Sequence, residues 1–291
     1  MDINYELYKV FYHVANTLSF SEASKQLFIS QSAVSQSIKV LEKKLNQPLF
    51  IRSTKRVQLT PEGEILLKHI EPAMNLIRQG ENQLLEANTL NGGQLRIGAS
   101  DTICRYYLVS YLKDFHRRYP NVHIKVTNQT SIECARLLEH GQVDFIIINH
   151  PNSALSTAHT PRVLREFRDV FVANREYFPL QDKVMSLLEL QPYPILMLDR
   201  KSTTSEFLHQ IFQKNQLDLV PEIELSSNDL LIDLARIGLG IAFVPDFCIP
   251  PKDRDLFVLE LTEQLPLRQM VVAYNESLPV SQAAKQFMDM L

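Results

Sequence analysis

The stretch Ser19–Arg56, SFSEASKQLFISQSAVSQSIKVLEKKLNQPLFIRSTKR, limits what this chain can fold into more than any other. It reads as two helices joined by a tight turn, followed by a basic hairpin. Ser21 is placed to cap a helix of about two turns that turns Ala23 and Leu27 inward. Phe28–Ser30 break that pattern, and Gln31-Ser32 open a second, longer helix. In this helix Val34, Ile38, Leu41 and Leu45 make one apolar stripe at spacings of four, three and four. The opposite face carries Gln31, Ser32, Ser35, Gln36 and Lys39, with no apolar residue and no acid. Amides and hydroxyls match the donor and acceptor edges of base pairs in a major groove, and Lys39 suits a phosphate. Small Ser side chains let the helix backbone come close to a duplex. The pattern is a helix-turn-helix with Gln31–Lys39 as its reading face.

Beyond the reading helix, Gln47-Pro48 ends helicity, and Leu49-Phe50-Ile51 with Val57-Gln58-Leu59 forms a short hairpin. Its tip, Arg52, Ser53, Thr54, Lys55 and Arg56, suits a wing over the sugar-phosphate backbone. Such a wing gives affinity and salt dependence but little sequence choice. Residues 1–60 hold eight Lys and Arg against four acids, hence +4. The whole chain, with 30 basic and 33 acidic residues, is −3, so the other 231 residues carry −7. A basic head on an acidic body suits a protein that touches phosphate with one end.

The run Ala23, Ser24, Leu27, Ile29 to Ser35, Ile38, Leu41 and Glu42, then Leu49, Phe50, Arg52 and Leu59 to Gly63, resembles the N-terminal domain of LysR-type transcriptional regulators. The match covers the first sixty-odd residues closely, and the remainder agrees in length and rhythm. The resemblance implies a mixed fold: an N-terminal all-α winged helix-turn-helix with a long linker helix, then an α/β two-lobed effector domain similar to periplasmic solute-binding proteins. It implies a homodimer or homotetramer on double-stranded DNA, with RNA polymerase and a small-molecule effector as further partners.

Upstream, Leu7, Tyr8, Phe11, Val14, Ala15 and Leu18 fall at helical spacing and predict a packing helix over Tyr5–Leu18. Downstream, Thr60-Pro61-Glu62 is a helix start, with Thr as cap, Pro first and an acid in the first turn. The helix is expected to reach Ala87. Leu66, Ile70, Ala73, Ile77, Gly80, Leu84 and Ala87 recur at alternating four and three, a heptad seam. Leu66, Ile70, Ala73, Ile77 and Leu84 are therefore the expected dimerisation residues. Pro72 is expected to kink this helix.

Asn91-Gly92-Gly93 reads as a flexible joint, and from there the chain alternates strands with helices. Strands are expected at Gln94–Ala99, Val122–Val126, Val143–Ile148, Arg165–Ala173, Ile195–Leu198, Glu222–Leu225, Gly240–Val244, Leu256–Leu261 and Met270–Tyr274. Helices are expected at about 102–118, 131–140, 184–190, 203–215, 228–237 and from Ser281. The organisation is then a DNA-binding domain at 1–60, a linker helix at 61–90 and an effector domain at 91–291. Lobe I takes about 91–161 and 267–291, and lobe II about 162–266. The chain is expected to cross between lobes near His159–Val163 and Leu265–Arg268.

A ligand between α/β lobes sits at the C-terminal ends of strands, where helix N-termini expose N–H donors. Three strand ends qualify. One ends in Ser100, Asp101 and Thr102, the next runs into Asn128, Gln129, Thr130 and Ser131, and the third into Asp199, Arg200, Lys201, Ser202, Thr203 and Thr204. The resemblance places effector contacts at Ser100, Thr102, Gln129, Thr130 and Ser202. Phe243, Ile148 and Asn149 are further candidates for the lining. Arg200 and Lys201 beside converging helix N-termini favour a small anion such as a carboxylate, against which Asp101 would argue if it faced the cleft.

Composition bounds the alternatives. No apolar run approaches the ~20 residues needed to cross a bilayer, and the acids of MDINYELYKV argue against an export signal, so a cytoplasmic protein is expected. Cys104, Cys134 and Cys248 are too few and too widely spaced for a disulfide framework. No G-x-S-x-G, H-E-x-x-H, C-x-x-C or G-x-x-x-x-G-K motif is present, and no two histidines stand three or four apart. Neither an enzyme, nor a metal site, nor a cofactor beyond the effector is therefore expected. The alternatives are a solute-binding receptor, which has no use for a basic head, and a regulator sensing redox through Cys104.

Overall fold

The structure, a computed structural model, describes residues 3–52, 56–87, 93–156, 159, 161–250, 253–276 and 278–291. The chain divides into two compact units, the first made of residues 1–88 with 140–142 and the second of residues 89–139 and 143–291.

The first unit opens with three helices, α1 (Tyr5–Thr17), α2 (Phe20–Leu27) and α3 (Gln31–Leu45). Their apolar stripes meet in one core that includes Phe11, Val14, Ala23, Val34, Ile38 and Leu41. Each helix ends on a residue in the left-handed conformation, Leu18, Phe28 and Asn46, which turns the chain sharply into the next segment. Strands β1 (Phe50–Arg52) and β2 (Val57–Leu59) pair antiparallel as the wing, with Phe50 opposite Leu59. Glu42 fixes the wing's origin, because its Oε1 accepts from the backbone N–H groups of Leu49 (2.9 Å) and Phe50 (3.2 Å).

Helix α4 (Pro61–Ala87) starts at the far end of the wing. Thr60 ties its first turn down: its hydroxyl donates to the Pro48 carbonyl (2.7 Å) and accepts from the Gly63 N–H (3.0 Å). A Cβ at Gly63 would lie 2.3 Å from the Leu49 carbonyl oxygen, so only glycine lets the helix pass that close to the wing. The Thr60, Pro61 and Gly63 signal thus has a steric and a capping basis in this chain.

The second unit holds two five-stranded sheets. The first sheet combines β3 (Gly93–Ala99), β4 (Val122–Asn128), β5 (Phe145–His150), β6 (Arg162–Phe167) and β14 (Arg268–Tyr274) in the order β4-β3-β5-β14-β6. Between its strands lie α5 (Asp101–Ile103), a π-helical turn at Cys104–Leu108, α6 (Val109–Arg118) and α7 (Ser131–Glu139). The second sheet contains β7 (Asp169–Asn174), β9 (Ile195–Leu198), β10 (Ile223–Leu225), β11 (Ile241–Pro245) and β12 (Leu256–Val258), ordered β10-β9-β11-β7-β12. A small parallel pair, β8 (Val184–Met185) with β13 (Glu260–Leu261), stands beside it. Helices α8 (Leu187–Leu190), α9 (Thr203–Lys214) and α10 (Asn228–Arg236) pack in this lobe, and α11 (Gln282–Met288) returns to the first.

Strand β6 corrects the expected lobe boundary. Arg165–Ala173 is not one strand, because the chain leaves one sheet and enters the other at Arg168. Residues Arg162–Phe167 pair antiparallel with β14 in the first sheet, and Asp169–Asn174 pair with β11 in the second. The first crossing therefore falls several residues after the expected His159–Val163, and lobe I keeps β6. Leu256–Leu261 likewise splits into two strands of different sheets.

Candidate functional site

In the first unit the reading face stands as the periodicity predicts. Val34, Ile38 and Leu41 are buried, while Gln31, Ser32, Gln36 and Lys39 are exposed and Ser35 is half-buried. Ser30 caps α3, its Oγ accepting from the Ala33 N–H (3.2 Å) and lying 2.9 Å from Ser32 Oγ. Ser21 is not the cap of α2. That role falls to Ser19, whose Oγ accepts from the Glu22 N–H at 3.2 Å. The helix starts two residues earlier than expected because Phe20 packs edge-on against Phe50, 5.9 Å away, and so joins the core. Ser21 is exposed in the first turn, and its carbonyl accepts from Ser24 Oγ. At the wing Arg56 is exposed. Ser53, Thr54 and Lys55 lie outside the described residues, as does the side chain of Arg52.

Sequence periodicity marks Phe28 only as a helix break. The residue is 95% exposed in the turn that leads into α3, with a φ of 54°. An aromatic ring left in water beside a polar reading face is a candidate partner for an apolar base edge.

Along α4 the seam divides. Leu66 and Ile70 pack, with Leu67, on the helix-turn-helix core of their own chain, which removes them from a surface seam. Ala73, Ile77 and Leu84 are exposed, as are Ile65 and Leu76.

In the second unit the three expected strand ends and a fourth converge on a cavity of about 400 Å³ between the lobes. Lobe I supplies Ser100, Asp101, Thr102, Asn128, Gln129, Thr130, Ser131 and Asn149. Lobe II supplies Leu198, Asp199, Ser202, Thr203 and Thr204, together with Ser226, Ser227 and Asn228 from the turn between β10 and α10. Hydroxyls cap the helices here. Ser100 Oγ accepts from the Ile103 N–H, Thr130 Oγ1 from Glu133, Ser202 Oγ from Ser205 and Ser227 Oγ from Leu230. The first N–H groups of each helix have no carbonyl four residues back, so the positive ends of the helix dipoles meet at the cavity. The Ser226–Asn228 turn obeys the same rule as the other three and is readable from the sequence by it.

Four expected cleft residues are not in this cavity. Phe243 is fully buried in the lobe II core, 4.7 Å from the Phe171 ring. Ile148 is buried in a lobe I core cluster. Arg200 is exposed outside the cavity, and Lys201 lines a neighbouring, more open hollow with Glu133, Arg136, Glu139 and Glu206. Asp199 Oδ1 accepts from the Lys201 N–H (3.0 Å), a turn that carries both basic side chains past the cavity. Asp101, by contrast, does face it, with Oδ1 accepting from Asn128 Nδ2 at 3.2 Å.

The two lobes are tied on one side of the cavity. Tyr106 Oη donates to Asp229 Oδ1 (2.6 Å), Arg105 Nε lies 3.3 Å from the same oxygen, and Asn228 Nδ2 donates to Thr102 Oγ1 (2.9 Å). Burial, and then the bond to Asp229, push the Tyr106 hydroxyl well above the usual phenol range. Where the chain returns to lobe I, Arg268 is buried. Its guanidinium donates to Asp169 (2.7 Å), Thr204 (3.0 Å) and Thr203 (2.9 Å), joining β14 to β7 and to the first turn of α9.

A winged helix-turn-helix carrying a polar reading face, and a two-lobed α/β body with a hydroxyl-lined cleft, define a ligand-responsive DNA-binding regulator. Comparison with known proteins places the chain within that class. The family described as "Bacterial regulatory helix-turn-helix protein, lysR family" matches residues 5–64, and "LysR substrate binding domain" matches residues 88–291. The chain belongs to the LysR family of transcriptional regulators. It is 27% identical over 290 residues to the HTH-type transcriptional activator CmpR of Synechocystis, covering 98% of this chain and 93% of that protein. Among solved structures, full-length CbnR complexed with its target DNA shares the fold at a TM-score of 0.67 with 15% identity, covering 99% of this chain and 98% of that one. The regulatory domain of CcmR from Synechocystis, in complex with 2-PG, aligns at a TM-score of 0.62 with 20% identity, over 68% of this chain and 95% of that chain. No helix among the described residues is long and apolar enough to cross a membrane.

Proposed function

We propose that Gln31, Ser32, Ser35, Gln36 and Lys39 read an operator in the major groove while Arg52 to Arg56 ride the phosphate backbone. The cleft then holds a small-molecule effector that adjusts this reading. One observation carries the DNA half: an exposed helix face of amides, hydroxyls and one lysine on a rigid, capped three-helix core. For the effector half it is the meeting of capped helix starts from both lobes on one polar cavity. A ligand touching both lobes stabilises their closed arrangement by its differential affinity for it. Ala73, Ile77 and Leu84 are the seam on which two copies pair, so that two heads address two half-sites.

Gln31→Ala or Ser35→Ala should lower the preference for operator over random DNA by about 1–3 kcal/mol for each base edge that is no longer read. Fluorescence anisotropy with both duplexes at fixed salt measures this. An unchanged ratio in both variants would remove these residues from the reading face.

A further inference from the structure

We propose that the molecule held in the cleft is a zwitterion of amino-acid type, with one carboxylate and one ammonium group. This rests on the cleft being the effector site. The cavity makes two opposite electrostatic demands. Helices α7, α9 and α10 present their N-termini to it behind the caps Thr130, Ser202 and Ser227, which suits one carboxylate. Yet among the described residues no Lys, Arg or His lines it, and the charged side chains that do are Asp101 and Asp199, one from each lobe. A phosphorylated or dicarboxylic acid would find no guanidinium fork or ammonium there and would meet two carboxylates.

Acceptors are also in surplus. Asp101 and Asp199 each commit one oxygen, to Asn128 Nδ2 and to the Lys201 N–H, and the second oxygen of each has no partner among the described residues. Asn149 and Asn228 line the cavity at 8% and 4% exposure, and the side-chain oxygen of each is buried without a partner among those residues. For Asn228 the amide nitrogen is already committed to Thr102 Oγ1, so that nitrogen cannot serve a further acceptor. Buried acceptors left unpaired are costly, and an ammonium group brings three donors at once. A cavity of about 400 Å³ is near the lower end for ligand pockets, which suits a molecule this small.

The test uses the full-length protein in isothermal titration calorimetry. The probes are the standard amino acids, their N-acetyl derivatives, their methyl esters, succinate and 2-phosphoglycolate. At least one free amino acid should bind, and both its N-acetyl and its ester form should bind at least about tenfold more weakly, as expected when one charge-assisted hydrogen bond is removed. Asp101→Asn should weaken that amino acid by a similar factor while the melting temperature without ligand is retained. Failure of every amino acid to bind overturns the proposal, as does an N-acetyl derivative or dianion that binds as well as the free amino acid. If a dianion binds and Thr130→Val abolishes it, the cleft remains the effector site and only the ligand class is wrong. If an amino acid binds equally well to Asp101→Asn and Thr130→Val, the site lies elsewhere and both readings fall.

Discussion

Arg268 shows at residue scale what a buried charge requires and why a sequence hides it. At 1% exposure its guanidinium survives on Asp169 and two threonine hydroxyls, with the Phe167 and Phe207 rings 5.5 and 5.0 Å away. These hydrogen-bonding partners lie 64 to 99 residues distant along the chain, so no local pattern announces them. Removing one partner leaves an uncompensated buried charge, whereas replacing both with apolar side chains removes the demand. Arg268→Met should therefore cost about 3–5 kcal/mol in urea unfolding, and Arg268→Met/Asp169→Leu should recover a large part of it. A double variant no more stable than the single one would show that the ion pair does not set this cost. Cys104 is the opposite case, visible in sequence but with its chemistry set by packing. Burial first, and then the Asp101 carboxylate, push its thiol up to about 11. The raised value keeps it protonated at neutral pH, and the reactive thiolate appears only as pH climbs toward 11. Iodoacetamide labelling followed by mass spectrometry should therefore be slow at pH 7 and rise steeply above pH ~9. Rapid labelling at pH 7 would restore the redox-sensing alternative.

At the scale of elements, the sequence is most legible where one apolar stripe faces one core. Helix α3 follows its spacing because Val34, Ile38 and Leu41 all point into the three-helix core. The cleft is legible by hydroxyls at strand ends, since a capping Ser or Thr is a local signal. What fails does so through tertiary placement. Arg165–Ala173 reads as one strand because nothing in its pattern says that the two halves join different sheets. Arg200 and Lys201 look like cleft residues until the Asp199 turn is known. The α4 seam fails in part for the same reason: a heptad pattern does not say which copy of the chain covers it. Leu66 and Ile70 belong to the head's own core, while Ile77 and Leu84 stand 58% and 71% exposed. Ile77→Glu/Leu84→Glu should therefore dissociate the oligomer in sedimentation velocity without lowering the melting temperature of the head, because both sites lie outside that core. Leu66→Ala should do the reverse and cost about 1–2 kcal/mol of head stability, the value for a buried leucine discounted for its half-burial. If the glutamate pair leaves the oligomer intact, the subunits pair through another surface.

At the scale of the whole molecule, the proposed effector response turns on how easily two lobes open around a small cavity. The π-helical turn at Cys104–Leu108 bears on this directly, because its extra residue breaks the α-helical register where Arg105 and Tyr106 reach Asp229 at the start of α10. The Arg105 pairing is largely exposed and adds little, so the short Tyr106 bond to a carboxylate is the principal tie. A tie of this kind stabilises the closed arrangement before any ligand arrives, and a ligand that needs closure then binds more tightly. Tyr106→Phe keeps the ring against Phe247, 6.2 Å away, and deletes only the donor. Ligand affinity should fall by about three- to tenfold, a charge-assisted bond discounted for its partial exposure. Small-angle scattering of the ligand-free variant should also show a larger radius of gyration, and saturating ligand should restore the wild-type value. Unchanged affinity together with an unchanged radius would mean that the lobes are held by the Asn228–Thr102 bond, the Arg268 junction and the strand crossings, and that the turn serves only to pack Tyr106.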